Sequence, residues 1–139
     1  MRFTTEITIR GYHLDGYGHV NNARWLELFE EARWRWLDES IDLAAWEQDG
    51  VGIAVLSVAI RYRRPARAGD RVTFRCWMTH VGGKTGVCQQ EAVSAATGEP
   101  LVAAEVRFVL FDRQSGRSRA FDPAARAHFE RYLEKDATR

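Results

Sequence analysis

Trp25, Leu28, Phe29, Ala32 and Trp36 stand at offsets 0, 3, 4, 7 and 11, which lays one apolar stripe along a helix. Arg24, Glu27, Glu30 and Glu31 lie largely off that stripe. The segment reads as a core-facing helix, with Asn21 or Asn22 as its N-cap, because a short side-chain oxygen accepts a free first-turn amide. Ahead of it, Phe3 to Arg10 alternates apolar and polar positions, is rich in β-branched residues and stops at Gly11, the pattern of a half-buried first strand. Behind it, Ser40 is the expected cap of a second short helix, Ile41 to Glu47, before Asp49-Gly50 turns the chain.

From Gly52 onward the period changes to two. Ala54, Leu56, Val58, Ile60 and Tyr62 alternate with Val55, Ser57, Ala59 and Arg61, which predicts a mostly buried strand ending near Pro65. Val72, Phe74, Cys76 and Met78 form the next inward row, and Gly82-Gly83 leads into a strand over Thr85 to Ala95. After the turn Thr97-Gly98-Glu99-Pro100 come Val102, Ala104, Val106, Phe108 and Leu110, then a short strand near Arg119 to Phe121. Asp122-Pro123 has the form of an N-cap and first position of a terminal helix.

One long helix inserted after the first strand, followed by strands joined through tight turns, gives an α+β layout with an antiparallel sheet whose apolar face needs a cover. The Trp25-to-Trp36 stripe is that cover, so the sheet is expected to wrap the helix. Such a sheet leaves an edge, and pairing it with a second copy would bury it, so a homo-oligomer is expected. No linker, repeat or low-complexity stretch divides residues 1–139, which read as a single domain.

Composition narrows the function classes. Twenty basic and 19 acidic side chains give a formal charge of +1, so there is no footprint for nucleic acid, although eighteen of the basic residues are Arg, which suits local anion recognition. The start MRFTTEITIRG carries no apolar signal region, and no run approaches the roughly 18 apolar residues of a membrane span. A soluble cytoplasmic protein is expected. Cys76 and Cys88 have neither metal spacing nor a disulfide framework and read as buried thiols, and no pair among the four histidines has ligand spacing, so no metal or cofactor is expected. Gly83-Lys84-Thr85 has the end of a phosphate loop without its glycine at Met78, in a strand-turn-strand setting, and is a hairpin.

The runs Arg10-Gly11-Tyr12-His13-Leu14-Asp15, Gly18-His19-Val20-Asn21-Asn22-Ala23-Arg24-Trp25 and Glu30-Glu31-Ala32-Arg33-Trp34 together resemble the signature of hotdog-fold acyl-CoA thioesterases. They are most similar to the bacterial thioesterase III subfamily, and the likeness continues through Tyr62-Arg63-Arg64-Pro65-Ala66, Gly69-Asp70 and Gly83-Lys84. The resemblance implies a hotdog fold, dimers commonly assembled into tetramers, and hydrolysis of a long-chain fatty acyl thioester at the dimer interface.

Thioester hydrolysis needs an activated water or a nucleophile and donors for the oxyanion. The leaving thiolate needs little acid catalysis, since a thiol of pKa about 8.5 departs readily. One carboxylate beside a helix N-terminus suffices for this. Asp15 is the candidate general base or nucleophile, His19 its orienting or proton-transferring partner, and the amides near Asn22 the oxyanion donors. Related acyl-carrier-protein enzymes carry Asn two residues after the Asp, where this chain has Tyr17, which speaks against an Asp-Asn-His triad. Tyr17, Arg63, Arg64 and Lys84 are the candidate substrate contacts, the cations for CoA phosphates alongside Arg61, Arg67 and Arg71. Two other readings stand beside hydrolysis: a hydratase or dehydratase on the same fold, and a non-catalytic acyl-binding or oligomerisation module.

Overall fold

The computed structural model describes residues 1–134. Along the chain, β1 (Phe3–Thr8) leads through a one-turn 3-10 helix at Gly11–His13 into α1 (Asn22–Ser40) and then α2 (Leu43–Asp49). The strands β2 (Val51–Tyr62), β3 (Arg71–Val81), β4 (Thr85–Ser94), β5 (Pro100–Asp112) and β6 (Ser118–Arg119) follow, and α3 (Pro123–Glu130) comes last.

The strands form one antiparallel sheet in the order β1-β3-β4-β5-β2, with β6 paired to β5. Registers such as Phe74↔Ala92, Cys76↔Gln90 and Cys88↔Val106 stack the apolar rows read from period two onto a single face. On that face lie Val72, Phe74, Cys76, Met78, Val102, Ala104, Val106, Phe108 and Leu110, all buried. Against it, α1 lays Trp25, Leu28, Phe29, Ala32 and Trp36, also buried; each large side chain of this kind contributes on the order of 2 kcal/mol by leaving water. This is the α+β hotdog arrangement, one long helix on the inner face of an antiparallel sheet. The buried Gln90 amide donates to the Phe29 carbonyl at 3.0 Å and its oxygen accepts from Arg33 at 2.9 Å, so this polar side chain under the helix is paired on both ends.

One local expectation is decided and two are revised. Of Asn21 and Asn22, it is Asn21 that caps α1, accepting from the Ala23 amide at 2.8 Å. Ser40 does not cap the second helix: α1 runs through it, and Asp42 caps α2 by accepting from Ala45 at 3.0 Å. A carboxylate two residues later outcompetes the hydroxyl, because α1 keeps its Ile41-to-Leu37 bond. Finally, β2 is an edge strand with an uncovered centre: Val55 is 45% exposed, Leu56 60% and Val58 37%. Its alternating row changes face within the strand: Ala54 pairs with Val109, away from the inward row of β5, while Ile53 and Val55 pair with Leu110 and Phe108 and share the inner face with Val58, Ile60 and Tyr62. The helix α1 packs over β1 and β3 and leaves this part of the sheet without a cover. A register shift between Val55 and Ser57 puts Leu56 out of the ladder as a bulge on this edge.

At the other end of the chain, Asp122 caps α3 as expected, with Pro123 in its first turn. The helix seats Phe129 edge-on against Trp36 and beside Phe108 and Phe121. His128 is buried next to it, its Nδ1 hydrogen-bonded to the Ser40 hydroxyl at the end of α1. Burial, followed by the nearby Arg131 charge, lowers the His128 pKa to about 4.

Candidate active site

The segment ahead of α1 is built as a closed loop. Leu14 and Val20 bridge as a short antiparallel pair, the Asp15 amide donates to the His19 carbonyl at 2.8 Å, and Gly18 turns the chain with a φ of 77°, which only glycine adopts freely. Inside the loop, Asp15 Oδ1 accepts the amides of Tyr17 at 2.8 Å and His19 at 3.2 Å. These bonds fix the carboxylate in space, while Oδ2 takes no donor among the described residues. The loop is in turn sewn to its surroundings: the Asn21 amide donates to the His13 carbonyl, and the Val20 amide to the Ala66 carbonyl, both at 2.9 Å. His13 accepts from the Arg10 amide at Nδ1 (2.8 Å), and burial, then the Arg24 charge, hold its pKa below the ordinary imidazole value.

The Asp15 loop therefore meets the start of α1 directly. Asn21 satisfies the Ala23 amide, and the Asn22 and Arg24 amides are left without an acceptor among the described residues, facing the positive end of a 19-residue helix. Asn22 itself is exposed, and its carbonyl accepts the Tyr62 hydroxyl at 2.9 Å, which ties the C-terminal end of β2 to the helix start.

His19 is close to Asp15 in a different sense from the one expected. The carboxylate takes the His19 backbone, whereas the ring reaches the Arg67 guanidinium, 3.2 Å from its Nε2. Tyr17 gives Asp15 its amide and sends its ring, 89% exposed, into solvent. Arg63 and Arg64 sit on the loop after β2, both amides donating to the Leu101 carbonyl; with Pro65 and Pro100 they line an open surface groove, and Arg64 pairs with Glu99 at 3.7 Å. Lys84 is not brought to Asp15 within one protomer. It follows the far end of β3, whose 11 residues span about 33 Å from the Arg71 end near Asp70. Glu31 pairs with Arg35 at 3.2 Å on the exposed side of α1.

An apolar cleft of about 80 Å³ lies under the second half of α1, lined by Glu30, Arg33, Trp34, Trp36, Ile53, Val55 and Phe108 among others. Trp34 and Ile53 also border a more open groove of about 370 Å³, reaching Trp46, Phe111 and Arg113. Sequence reading missed Trp34, the wall shared by both spaces, because it falls off the apolar stripe of α1. It also missed the Arg67–His19 contact, because 48 positions of sequence separate the two and no periodicity links them.

One long helix laid on the inner face of an antiparallel sheet is the arrangement of the hotdog thioesterases. Residues 9–129 match the model of the thioesterase-like superfamily, and the chain belongs to that family. It is 35% identical to the long-chain acyl-CoA thioesterase FadM of Escherichia coli over 129 residues, which is 93% of this chain and 98% of that protein. Among solved structures, the probable thioesterase YbaW of Escherichia coli aligns with a TM-score of 0.82 at 34% identity, covering 94% of this chain and 98% of the other. A Staphylococcus aureus protein solved in complex with CoA shares the fold, with a TM-score of 0.89 at 18% identity over 100% of this chain and 88% of its own.

Proposed function

We propose that this enzyme hydrolyses long-chain fatty acyl-CoA to free fatty acid and CoA, with Asp15 attacking as nucleophile or activating water as general base. The observation that carries this reading is the state of the Asp15 carboxylate: one oxygen held by two backbone amides, the other free, next to unsatisfied helix amides suited to a developing oxyanion. The apolar cleft and groove along α1 suit an acyl chain, and the substrate named for the FadM relative is of this kind. Arg63 and Arg64, on the open groove after β2, are the anion contacts for CoA phosphates.

The working unit is a dimer joined through β2. Tyr62, at one end of that edge, touches the helix start, while Ile53 and Val55, at the other end, line the cleft. Antiparallel pairing of two β2 edges about their midpoint sets the Tyr62 end of one copy beside the Ile53 end of the other. Asp15 then addresses the cleft of its partner, and the partner's Lys84 comes to the same end of the joined sheet as Arg63. Among the described residues no helix is long and apolar enough to cross a membrane. We propose the cytoplasm as the enzyme's location, where a reducing environment suits the free thiols Cys76 and Cys88.

The test is release of free thiol from a series of acyl-CoA chain lengths, each compared with the matching acyl-pantetheine. Hydrolysis rising toward long chains, with a lower KM for the CoA thioester, is expected. Hydrolysis of no member of the series would overturn the assignment.

A further inference from the structure

We propose that Arg67 is a positioning residue that fixes His19 as its Nδ1–H tautomer, so that the ring serves the thioesterase site as a hydrogen-bond donor and not as a base; the donor role rests on the function proposed above. A guanidinium has five N–H donors and no acceptor. At 3.2 Å from Arg67 Nη2, His19 Nε2 must therefore be the accepting nitrogen, unprotonated, and the ring's proton resides on Nδ1.

Arg67 is held where it can impose this. Its amide donates to Asp70 Oδ2 at 2.9 Å, and the Asp70 amide returns to the Arg67 carbonyl at 3.1 Å. The Gly69 amide donates to the Ile9 carbonyl and the Ile9 amide to the Asp70 carbonyl, both at 2.8 Å, while Ala66 takes the Val20 amide. The turn is thus bonded to β1's exit on one side and to the Asp15 loop on the other. Among the described residues no carboxylate lies within ion-pair distance of Arg67, so nothing draws its guanidinium away from the imidazole. Four residues before His19, Asp15 already has its own anchoring donors in the Tyr17 and His19 amides, so the carboxylate does not need the ring to orient it. The ring is left to polarise a carbonyl, with no proton changing hands at Nε2.

The decisive measurement is nitrogen NMR of the full chain with labelled histidine at about pH 8, above the ordinary imidazole range, the His19 signals being identified by their loss in His19→Asn. Wild type should show a protonated Nδ1 and an unprotonated Nε2; Arg67→Ala should shift the balance toward Nε2–H, and Arg67→Lys should restore it. In turnover, Arg67→Ala should lower kcat about tenfold with KM for acyl-pantetheine unchanged. His19→Asn, which keeps a donor at the Nδ1 position, should retain more activity than His19→Gln, which keeps one at Nε2. A protonated Nε2 in wild type, a tautomer indifferent to Arg67, or a more active Gln variant would overturn the proposal. So would an Arg67→Ala enzyme with full kcat and a raised KM for acyl-CoA alone, which marks a phosphate contact. If the tautomer behaves as stated while wild type hydrolyses no thioester, the donor role falls with the thioesterase reading and the tautomer assignment stands.

Discussion

The Tyr62 hydroxyl donates to the Asn22 carbonyl at 2.9 Å, so the last residue of the edge strand β2 is hydrogen-bonded to the first residue of α1. The bond ties the edge strand β2 to the start of α1, beside the Asp15 loop. Tyr62→Phe removes it without changing shape, and the expected cost is about 1 kcal/mol in denaturant unfolding, with a several-fold lower kcat and little change in KM. Unchanged stability and unchanged kcat would show the bond to be idle.

Asp15→Asn preserves an oxygen able to accept the Tyr17 and His19 amides, so the loop and the fold should survive. Removing the charge abolishes base and nucleophile alike, and kcat should fall by at least about 100-fold while the circular dichroism and melting curve stay close to wild type. A folded variant with full turnover would remove Asp15 from the mechanism.

Val58 is apolar, 37% exposed and central to the uncovered edge. Val58→Lys places a charge where two β2 strands would meet, which edge pairing does not tolerate. Light scattering should report a monomer, and activity should be lost with it if the cleft is completed by the partner. A dimeric, active lysine variant would move the interface elsewhere.

Burial lowers the pKa of His128 to about 4, against an ordinary value of 6.5. The unfolded chain therefore binds this proton first as pH falls. Stability from a neutral His128 is complete above about pH 6.5 and declines progressively toward about pH 4, by on the order of 2 kcal/mol. Denaturant titrations across that window should show a steeper loss for wild type than for His128→Gln, which has nothing to titrate. Parallel curves would mean that His128 protonates without penalty.

Desolvation raises the thiol pKa of both Cys76 and Cys88 to about 12; Arg33 offsets it only partly at both, and a hydrogen bond from Gln90 only partly at Cys76. Neither thiol should react with a thiol reagent in the native protein within minutes, and both should react at once in denaturant. A fast native reaction would signal local opening of the sheet.

Much of this molecule is legible in its sequence, for reasons that are local. The stripe from Trp25 to Trp36 repeats at helical spacing, and the rows through Phe74, Cys76 and Val106 repeat at two, so helix, strands and the faces they bury follow from backbone geometry alone. The Asp15 loop is equally local, since a carboxylate, a glycine turn and a helix start stand within eight positions. Other features lie beyond such reading. Asn21 and Asp42 win as caps over their neighbours because the ends of α1 and α2 depend on where each helix packs. The β2 row is apolar for burial yet lies open, because a strand's place at the edge of a sheet is set by strand order and by what covers it. Arg67 reaches His19 only after two loops converge on β1. Periodicity encodes which face of an element avoids water; which elements meet, and so which side chains share a proton or a carbonyl, is decided only by the tertiary packing of distant segments.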